Sequence, residues 1–304
     1  MLTLLRPPPL RSGDRVGILA PASPSRARDL EIGRSVLERM GLEVVMGTGN
    51  KDHCLAYLAG SDEHRASHFN EFVRDPSIRG LFCSRGGYGC LRILPKLSYS
   101  QLRLTPKALV GFSDLTALLV ACQWQAGVVC FHGPTVSSLA TADAESVESL
   151  WKALSSTEPL SFHFPGATCL REGIAVGSVL GGNLTTLCHL LGTPFFPPLT
   201  GRVLFLEDRG EAMYRIDRML TQFLHSGSFG GVAALILGGF SQSGPRQELN
   251  ELVQERLAST SFPILSGVTI GHERRNLTLP LGLTATLDAE ARTLVYHQPA
   301  TREP

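Results

Sequence analysis

The first half of the chain alternates short apolar runs with helical patterns, and no other feature constrains the fold as strongly. RVGILAPA (15–22), GLFCSR (80–85) and ALVGF (108–112) have the composition of buried strands. Helical patterns fill the intervals between them. Buried strands that alternate with helices form βαβ units around a parallel sheet. The sequence therefore predicts an α/β fold that begins with a parallel-sheet domain.

Residues 157–171 interrupt this alternation, and their prolines, glycine and weak periodicity predict a linker. Beyond them, GVAALILGGF (231–240) predicts a buried strand and LTATLDAEARTLVY (283–296) predicts a β-hairpin. A hairpin beside buried strands predicts a mixed sheet. We therefore expect one domain over residues 1–156 and a second, β-rich mixed α/β domain over residues 172–304.

The charge balance excludes several classes of partner. The chain has 28 basic and 27 acidic residues and a net charge of +1, so no broad field attracts nucleic acid or anionic lipid. No apolar run reaches the length of a membrane span, and the leucine-rich N-terminal patch is too short for a signal peptide. We therefore expect a cytoplasmic protein whose partner is a small peptide or another small molecule.

The cysteines and histidines predict no metal site and no cofactor. Seven cysteines form no C-x-x-C pair, which predicts reduced thiols instead of disulfides or bound zinc. His64 and His68 share one predicted helix face, but no cluster of further ligands accompanies them. His189 lies in an apolar helical pattern that favours a role in the core.

GFSDLTALL (111–119) places Ser113 where a strand pattern gives way to a helical pattern. A sharp turn at such a junction exposes a side chain, and the first helical amides can stabilise an anion, which suits a nucleophile. Serine is also a favoured helix N-cap, and the stretch lacks the second glycine of the G-x-S-x-G motif. Taken alone, this stretch favours a capping serine.

The segment CSRGGYGCLRIL (83–94) predicts a glycine-rich loop between a strand and a short helix. Its backbone can approach a ligand closely and offer free amides, or it can be a tight structural turn. The spacing of its glycines does not fit a dinucleotide-binding fingerprint, and no P-loop motif occurs in the chain.

Two segments of the second half offer candidate acid–base residues. RVLFLEDRGE (202–211) ends an apolar strand with Glu207 and Asp208, which suits a catalytic site or the start of the next helix. GHERRNLTLPLG (271–282) places His272 after a glycine in a loop, where an imidazole can be oriented. One such placement among nine histidines is also expected by chance.

Together, these segments resemble the LD-carboxypeptidase family of serine peptidases, which act on muropeptides and include the microcin-immunity hydrolases. The resemblance covers nearly the whole chain and keeps the family's order. It rests on seven segments: GDRVGILAPAS (13–23), SRGGYG (84–89), LVGFSDLTAL (109–118), HGP (132–134), GSVLGGNLTTL (177–187), LFLEDRGEAMYRIDRML (204–220) and GHERRNLTLPLG (271–282). Each motif is modest by itself, but seven in order are highly specific.

The resemblance implies a catalytic triad of Ser113 as nucleophile, Glu207 as carboxylate and His272 as base. It also implies an oxyanion hole formed by the backbone amides of Gly87 and Asp114. The nucleophile would lie on a Rossmann- or flavodoxin-like N-terminal domain and the other two triad residues on the β-rich C-terminal domain. Family members are often homodimers, which makes a homodimer an expectation here too.

The implied reaction is hydrolysis of the L,D-amide bond that holds the terminal D-alanine of a muramyl tetrapeptide, a step of peptidoglycan recycling. Such an enzyme must bind a terminal carboxylate, for which an arginine is suited. Arg85 and Arg274 lie beside the relevant motifs, although either can make a structural ion pair instead.

Two other functions compete with this one. A microcin-immunity type of amidase would cleave a peptidyl or aminoacyl nucleotide with the same triad, but no obvious aromatic insertion that would stack a base lies between the C-terminal motifs. A non-catalytic muropeptide-binding protein would keep the cleft without turnover. All three triad positions carry competent residues, which favours the enzyme.

Overall fold

Strands and helices alternate around two sheets in the computed structural model, which describes residues 3–47 and 55–303. The strands in these ranges are β1 (Arg15–Leu19), β2 (Glu43–Met46), β3 (Ile78–Cys83), β4 (Ala108–Gly111), β5 (Cys130–His132), β6 (Ser161–His163), β7 (Thr168–Arg171), β8 (Ile174–Asn183), β9 (Arg202–Arg209), β10 (Ala234–Ser241), β11 (Ile264–Ser266), β12 (Leu279–Leu281), β13 (Thr284–Asp288) and β14 (Thr293–Tyr296). The α-helices are α1 (Ala27–Arg39), α2 (Asp62–Arg74), α3 (Cys90–Ile93), α4 (Tyr99–Leu104), α5 (Leu115–Ala126), α6 (Val136–Leu139), α7 (Ala144–Ser155), α8 (Leu184–Leu190), α9 (Met213–His225) and α10 (Arg246–Arg256).

The first sheet has the order β12-β5-β4-β3-β1-β2. Its strands β1 to β5 pair in parallel, and only the edge strand β12 runs antiparallel to its neighbour. The order 2-1-3-4-5 of the parallel strands is that of flavodoxin-like folds, so the prediction for this part of the chain is confirmed. In such sheets, ligands bind beyond the carboxyl ends of the strands.

The second sheet has eight strands in the order β6-β14-β13-β8-β9-β10-β11-β7. The four central strands β8 to β11 are parallel, whereas the flanking pairs are antiparallel. The expected mixed, β-rich architecture is therefore confirmed. The hairpin predicted over residues 283–296 is formed by β13 and β14.

Residues 157–171, predicted to be a linker between two domains, contain two short strands. β6 pairs with β14 and β7 pairs with β11, so these residues form both edges of the second sheet. Edge strands this short, half exposed to solvent, have no clear hydrophobic periodicity, so the sequence pattern did not predict them. β12, within residues 172–304, joins the first sheet instead. The domain boundaries themselves stay a prediction.

Helix α5 lies between the two sheets and starts two residues after Ser113. Most of its residues are fully buried, and it packs on β4 and β5 of the first sheet and on β8 of the second. A helix that is apolar all round belongs in a core. The Thr116 hydroxyl accepts a hydrogen bond from the backbone amide of Asn183 (3.0 Å), which joins the helix to the end of β8.

No helix in the described part of the chain is long and apolar enough to cross a membrane. The six cysteines that the structure describes are free, whereas Cys54 lies outside the described residues. Burial raises the pKa of the Cys83 thiol far above its ordinary value. Thiols buried in this way are unreactive and pack as small apolar groups.

Candidate active site

Ser113 occupies a strained turn between β4 and α5. Its φ is 67°, a left-handed conformation that is uncommon for a residue other than glycine. The hypothesis of a helix-capping serine is wrong, because Asp114 occupies the N-cap position and no side chain caps this helix. Only the backbone carbonyl of Ser113 takes part in the first turn, accepting from Thr116 N at 2.9 Å. The strain instead presents the hydroxyl to an open cleft.

Glu207 and His272 form a close hydrogen-bonded pair. The Oε2 atom of Glu207 lies 2.6 Å from Nδ1 of His272. Glu207 is fully buried near the end of β9, and among the described residues its Oε1 has no hydrogen-bond partner. Burial raises the pKa of Glu207, while the hydrogen bond from His272 opposes that shift. The carboxylate thus fixes the direction of the imidazole and leaves its Nε2 free of this bond.

At position 271, beside this pair, there is no space for a side chain. The φ of Gly271 is +107°, and a Cβ at this position would lie 2.4 Å from Oε2 of Glu207. The backbone amide of Gly271 donates to Oδ1 of Asn276 at 2.8 Å, which closes the loop that carries His272. The glycine that the sequence analysis noted before His272 therefore permits the approach of the carboxylate.

The structure brings all three predicted triad residues to one region. Ser113 and His272 line a common cleft of about 680 Å³, and Glu207 lies buried behind His272. The ring of Phe112 packs against His272 with a centroid separation of 4.8 Å. Within the described residues no hydrogen bond joins Ser113 to His272. Catalytic bonds of this kind often tighten only when substrate is bound.

The glycine-rich loop after β3 lies directly against the serine. A Cβ on Gly86 would lie 2.8 Å from Cβ of Ser113, and Gly87 has a φ of +107°. Within the described part of the chain, the backbone amides of Gly87 and Asp114 donate to no other protein atom. Both predicted oxyanion-hole residues also line the cleft. This loop can therefore offer donors to an anion that forms at Ser113.

Two hydrogen bonds hold this loop in place. The hydroxyl of Ser23, which follows β1, accepts from Tyr88 N at 3.1 Å. The Asp114 carboxylate accepts from Cys90 N at 2.9 Å, which ties the start of α3 to the start of α5. The loop is therefore preorganised at both ends, as an electrostatic catalytic site requires.

Asp208 plays a structural part that the sequence did not predict. It does not start the following helix, because α9 begins at Met213 with Ala212 at its N-cap. Its carboxylate instead accepts from Asn183 Nδ2 and from the amide and hydroxyl of Thr185, at 2.8–2.9 Å. Asp208 thereby fixes the junction of β8 and α8 at the wall of the cleft. Only the tertiary pairing of β8 with β9 brings these residues together.

The two predicted carboxylate-binding arginines have different surroundings. Arg85 lines the cleft, and its guanidinium donates to the Pro24 carbonyl at 2.9 Å. Arg274 is exposed and does not line this cleft. Arg26 and Arg209 also line the cleft, and no motif in the sequence predicts them there. Arginine at a loop or strand end has no distinguishing local pattern, so only the fold reveals these two.

Among the histidines outside the proposed triad, one differs from expectation. His189 is exposed and lines the cleft, so the core role is wrong. His64 and His68 do lie together, with ring centroids 4.1 Å apart. Within residues 3–47 and 55–303, no three histidine, cysteine or acidic side chains form a group that could hold a metal ion.

Comparison with known proteins places this architecture in a family. Residues 16–133 match the family model of the LD-carboxypeptidase N-terminal domain, and residues 176–287 match that of the C-terminal domain. A putative carboxypeptidase of Streptomyces coelicolor is 38% identical over 100% of both chains. A probable murein peptide carboxypeptidase of Bacillus subtilis is 34% identical over 95% of this chain and 93% of its own.

Solved structures show the same fold. The crystal structure of a muramoyltetrapeptide carboxypeptidase from Oxalobacter formigenes superposes with a TM-score of 0.83 at 30% identity, over 95% of this chain and 99% of that one. The microcin C7 self-immunity protein MccF, in complex with aspartyl sulfamoyl adenosine, gives a TM-score of 0.90 at 26% identity, over 98% and 100%. The motifs, both family models and the fold agree: the chain belongs to the LD-carboxypeptidase family of peptidases.

Proposed function

We propose that this chain is a serine peptidase that hydrolyses the L,D-amide bond before the terminal D-alanine of a muropeptide. The observation that carries the proposal is that His272, whose Nδ1 lies 2.6 Å from Oε2 of the buried Glu207, lines the same cleft as a serine held at a φ of 67°. The murein and muramoyltetrapeptide carboxypeptidases among the relatives support this substrate class.

The first half of the reaction acylates Ser113. With Glu207 ionised, Nδ1 of His272 donates to it, so Nε2 can accept the Ser113 proton as the hydroxyl oxygen attacks the amide carbon. The amides of Gly87 and Asp114 stabilise the oxyanion that forms. The C–N bond then breaks, and His272 returns the proton to the amine of the departing D-alanine.

The second half of the reaction releases the shortened peptide. Water attacks the ester on Ser113 while His272 accepts a proton from it, and the same amides stabilise the second oxyanion. Collapse of this intermediate returns the proton to Ser113 and frees the carboxylate of the diamino acid. The triad ends as it began, and Arg85 is a candidate to bind the substrate's terminal carboxylate in the first half.

Release of D-alanine from a muramyl tetrapeptide tests the proposal. Ser113→Ala should lower the rate by at least about 10³-fold, because no nucleophile replaces the hydroxyl. Ser226→Ala, in the exposed turn after α9, is the matched control and should keep wild-type activity. Equal D-alanine release by wild type and Ser113→Ala would refute Ser113 as the nucleophile. Muropeptide binding without D-alanine release, unchanged in Ser113→Ala, would sink the enzyme hypothesis and indicate a muropeptide-binding protein.

A second candidate is an amidase that cleaves aminoacyl nucleotides. The structural similarity to MccF bound to aspartyl sulfamoyl adenosine, with a TM-score of 0.90, supports this second function. The same triad would attack the aminoacyl linkage, so variants of Ser113 cannot separate the two functions. Parallel assays with muramyl tetrapeptide and an aminoacyl sulfamoyl adenosine can distinguish the two functions. A cytoplasmic location and a homodimer stay predictions.

A further inference from the structure

Two tyrosines form an exposed aromatic corner beside the catalytic loop. Tyr57 is 50% exposed and Tyr88 is 48% exposed. Their ring centroids lie 5.8 Å apart with an interplanar angle of 63°. Tyr88 lines the cleft that contains Ser113. Few large apolar side chains of the described residues are this exposed. Tyr57 does not itself line the cleft but packs against Tyr88, which does.

A single buried hydroxyl holds both tyrosines in place. Ser23 Oγ donates to the Tyr57 carbonyl at 2.6 Å and accepts from the Tyr88 amide at 3.1 Å. Ser23 itself is only 7% exposed, so its hydroxyl has little competition from solvent. The corner is therefore preorganised, and a ligand that packs on it need not order these two backbones.

The angle between the rings indicates what fits against them. Two parallel aromatic faces about 7 Å apart would sandwich a planar base, but rings inclined at 63° leave no such slot. A bent apolar corner suits the C–H face of a non-planar ring, and the two phenolic hydroxyls can bond to hydroxyl groups around it. A pyranose sugar has both features.

The position of the corner agrees with the length of a muropeptide. Tyr88 is two residues from Gly86, which lies against Ser113, so its Cα lies within about 8 Å of Gly86. Three amino acids and the lactyl group of the muramyl unit separate the scissile bond of a muramyl tetrapeptide from its sugar ring, and together they can span up to about 14 Å. With the length of a tyrosine side chain added, the sugar of a peptide bound at Ser113 can reach the corner.

The geometry points to Tyr57 and Tyr88 as a sugar-recognising subsite that makes the enzyme prefer muramyl peptides to free peptides. This inference rests on the proposed function, because the tyrosines act on the far end of the same substrate. They touch no reacting atom and determine specificity only. The sugar adds binding energy in the ground state and the transition state alike, so it lowers KM without changing kcat.

The test compares muramyl tetrapeptide with the free tetrapeptide. Tyr88→Ala and Tyr57→Ala should each lower kcat/KM for the muramyl substrate about 5-fold through KM, the size of effect expected of one aromatic contact. The free tetrapeptide should be cleaved at the wild-type rate, which also shows that the variants are folded. Tyr88→Phe should retain most of the preference. Tyr214→Ala, at a tyrosine 59% exposed on α9, is the matched control.

Several results would overturn the sugar subsite. Equal losses on both substrates would mean that the tyrosines only support the loop, and no loss on either would mean that they bind nothing. A loss confined to an aminoacyl sulfamoyl adenosine would assign the corner to a base instead.

A calorimetric titration keeps this inference separate from the proposed function. Wild type should bind muramyl tripeptide more tightly than free tripeptide, and Tyr88→Ala should remove the difference. If that difference is found but no D-alanine is released from any peptide, the subsite stands and the peptidase proposal falls. If D-alanine is released but the two tripeptides bind equally, the peptidase proposal stands and the sugar subsite falls.

Discussion

His132 should make the protein lose stability in acid, and His132→Leu should remove that loss. The imidazole is fully buried at the end of β5, and both of its ring nitrogens lack hydrogen-bond partners among the described residues. Its neighbours are aromatic: Phe205 at a centroid separation of 4.8 Å and Phe112 at 6.0 Å. Burial, with a smaller contribution from His272, lowers the pKa of His132 from 6.5 to about 3.

The sign of the effect follows from proton binding. Between pH 6.5 and pH 3 the unfolded chain protonates this histidine and the folded chain does not, so stability falls as the pH falls. Each pH unit below 6.5 costs about 1.4 kcal/mol, which amounts to about 2 kcal/mol at pH 5 and about 3 kcal/mol at pH 4. Above pH 7 the cost vanishes.

Urea unfolding of wild type and His132→Leu at pH 8, 5 and 4 measures this difference. Leucine has a similar volume and no polar atoms to leave unpaired, so the variant should be at least as stable as wild type at pH 8. Its advantage should grow by about 2 kcal/mol at pH 5. His225→Gln, at an exposed position at the end of α9, should change nothing. A wild-type minus variant difference that is flat with pH would refute the reasoning, because His132 would then be charged or solvated in the folded state.

Three further comparisons of variants test the proposed catalytic geometry. Glu207→Gln keeps the shape but loses the charge that orients His272, and D-alanine release should fall on the order of 10³–10⁴-fold. Gly271→Ala should lower both the free energy of unfolding and kcat. In Gly192→Ala the added Cβ has no atom within 4 Å, so at a φ of +80° this control should lose only about 1 kcal/mol of stability to backbone strain, measured by urea unfolding. Equal losses of stability in the two variants would contradict the clash with Glu207. Ser113→Gly and Ser113→Ala should both be inactive. The glycine variant should be more stable than the alanine variant by about 1 kcal/mol and should melt at a higher temperature, because alanine keeps a Cβ at a φ of 67°. Equal melting temperatures would mean that the turn relaxes in the alanine variant.

The sequence predicted the first sheet well because the strand preferences of its segments agree with their burial in the folded protein. β1, β3 and β4 are buried on both faces, so their apolar runs stand out, and each predicted helix between them forms. The edge strands β6 and β7 escaped notice for the opposite reason. They gain their structure from pairing with β14 and β11, which lie about a hundred residues further along the chain.

The proposed triad was reached only through the family resemblance. Local pattern at Ser113 favoured a helix cap, because serine preferences do not reveal a positive φ. The pairing of Glu207 with His272 joins residues 65 positions apart. The role of Asp208 depends on Asn183 and Thr185 from the neighbouring strand end, which no local pattern specifies.

Three unfavourable features of the described residues lie at or near the cleft. Ser113 holds a strained backbone, Glu207 buries an unpaired carboxylate oxygen, and His132 buries an unpartnered imidazole. Each costs on the order of 1–3 kcal/mol, which would be a large share of the stability of a typical domain. The surrounding structure can hold them because α5 is buried on every side between both sheets. The turn at Ser113, just before that helix, cannot relax without disturbing two cores at once, so the packing that offsets the strain would also hold the proposed nucleophile in place.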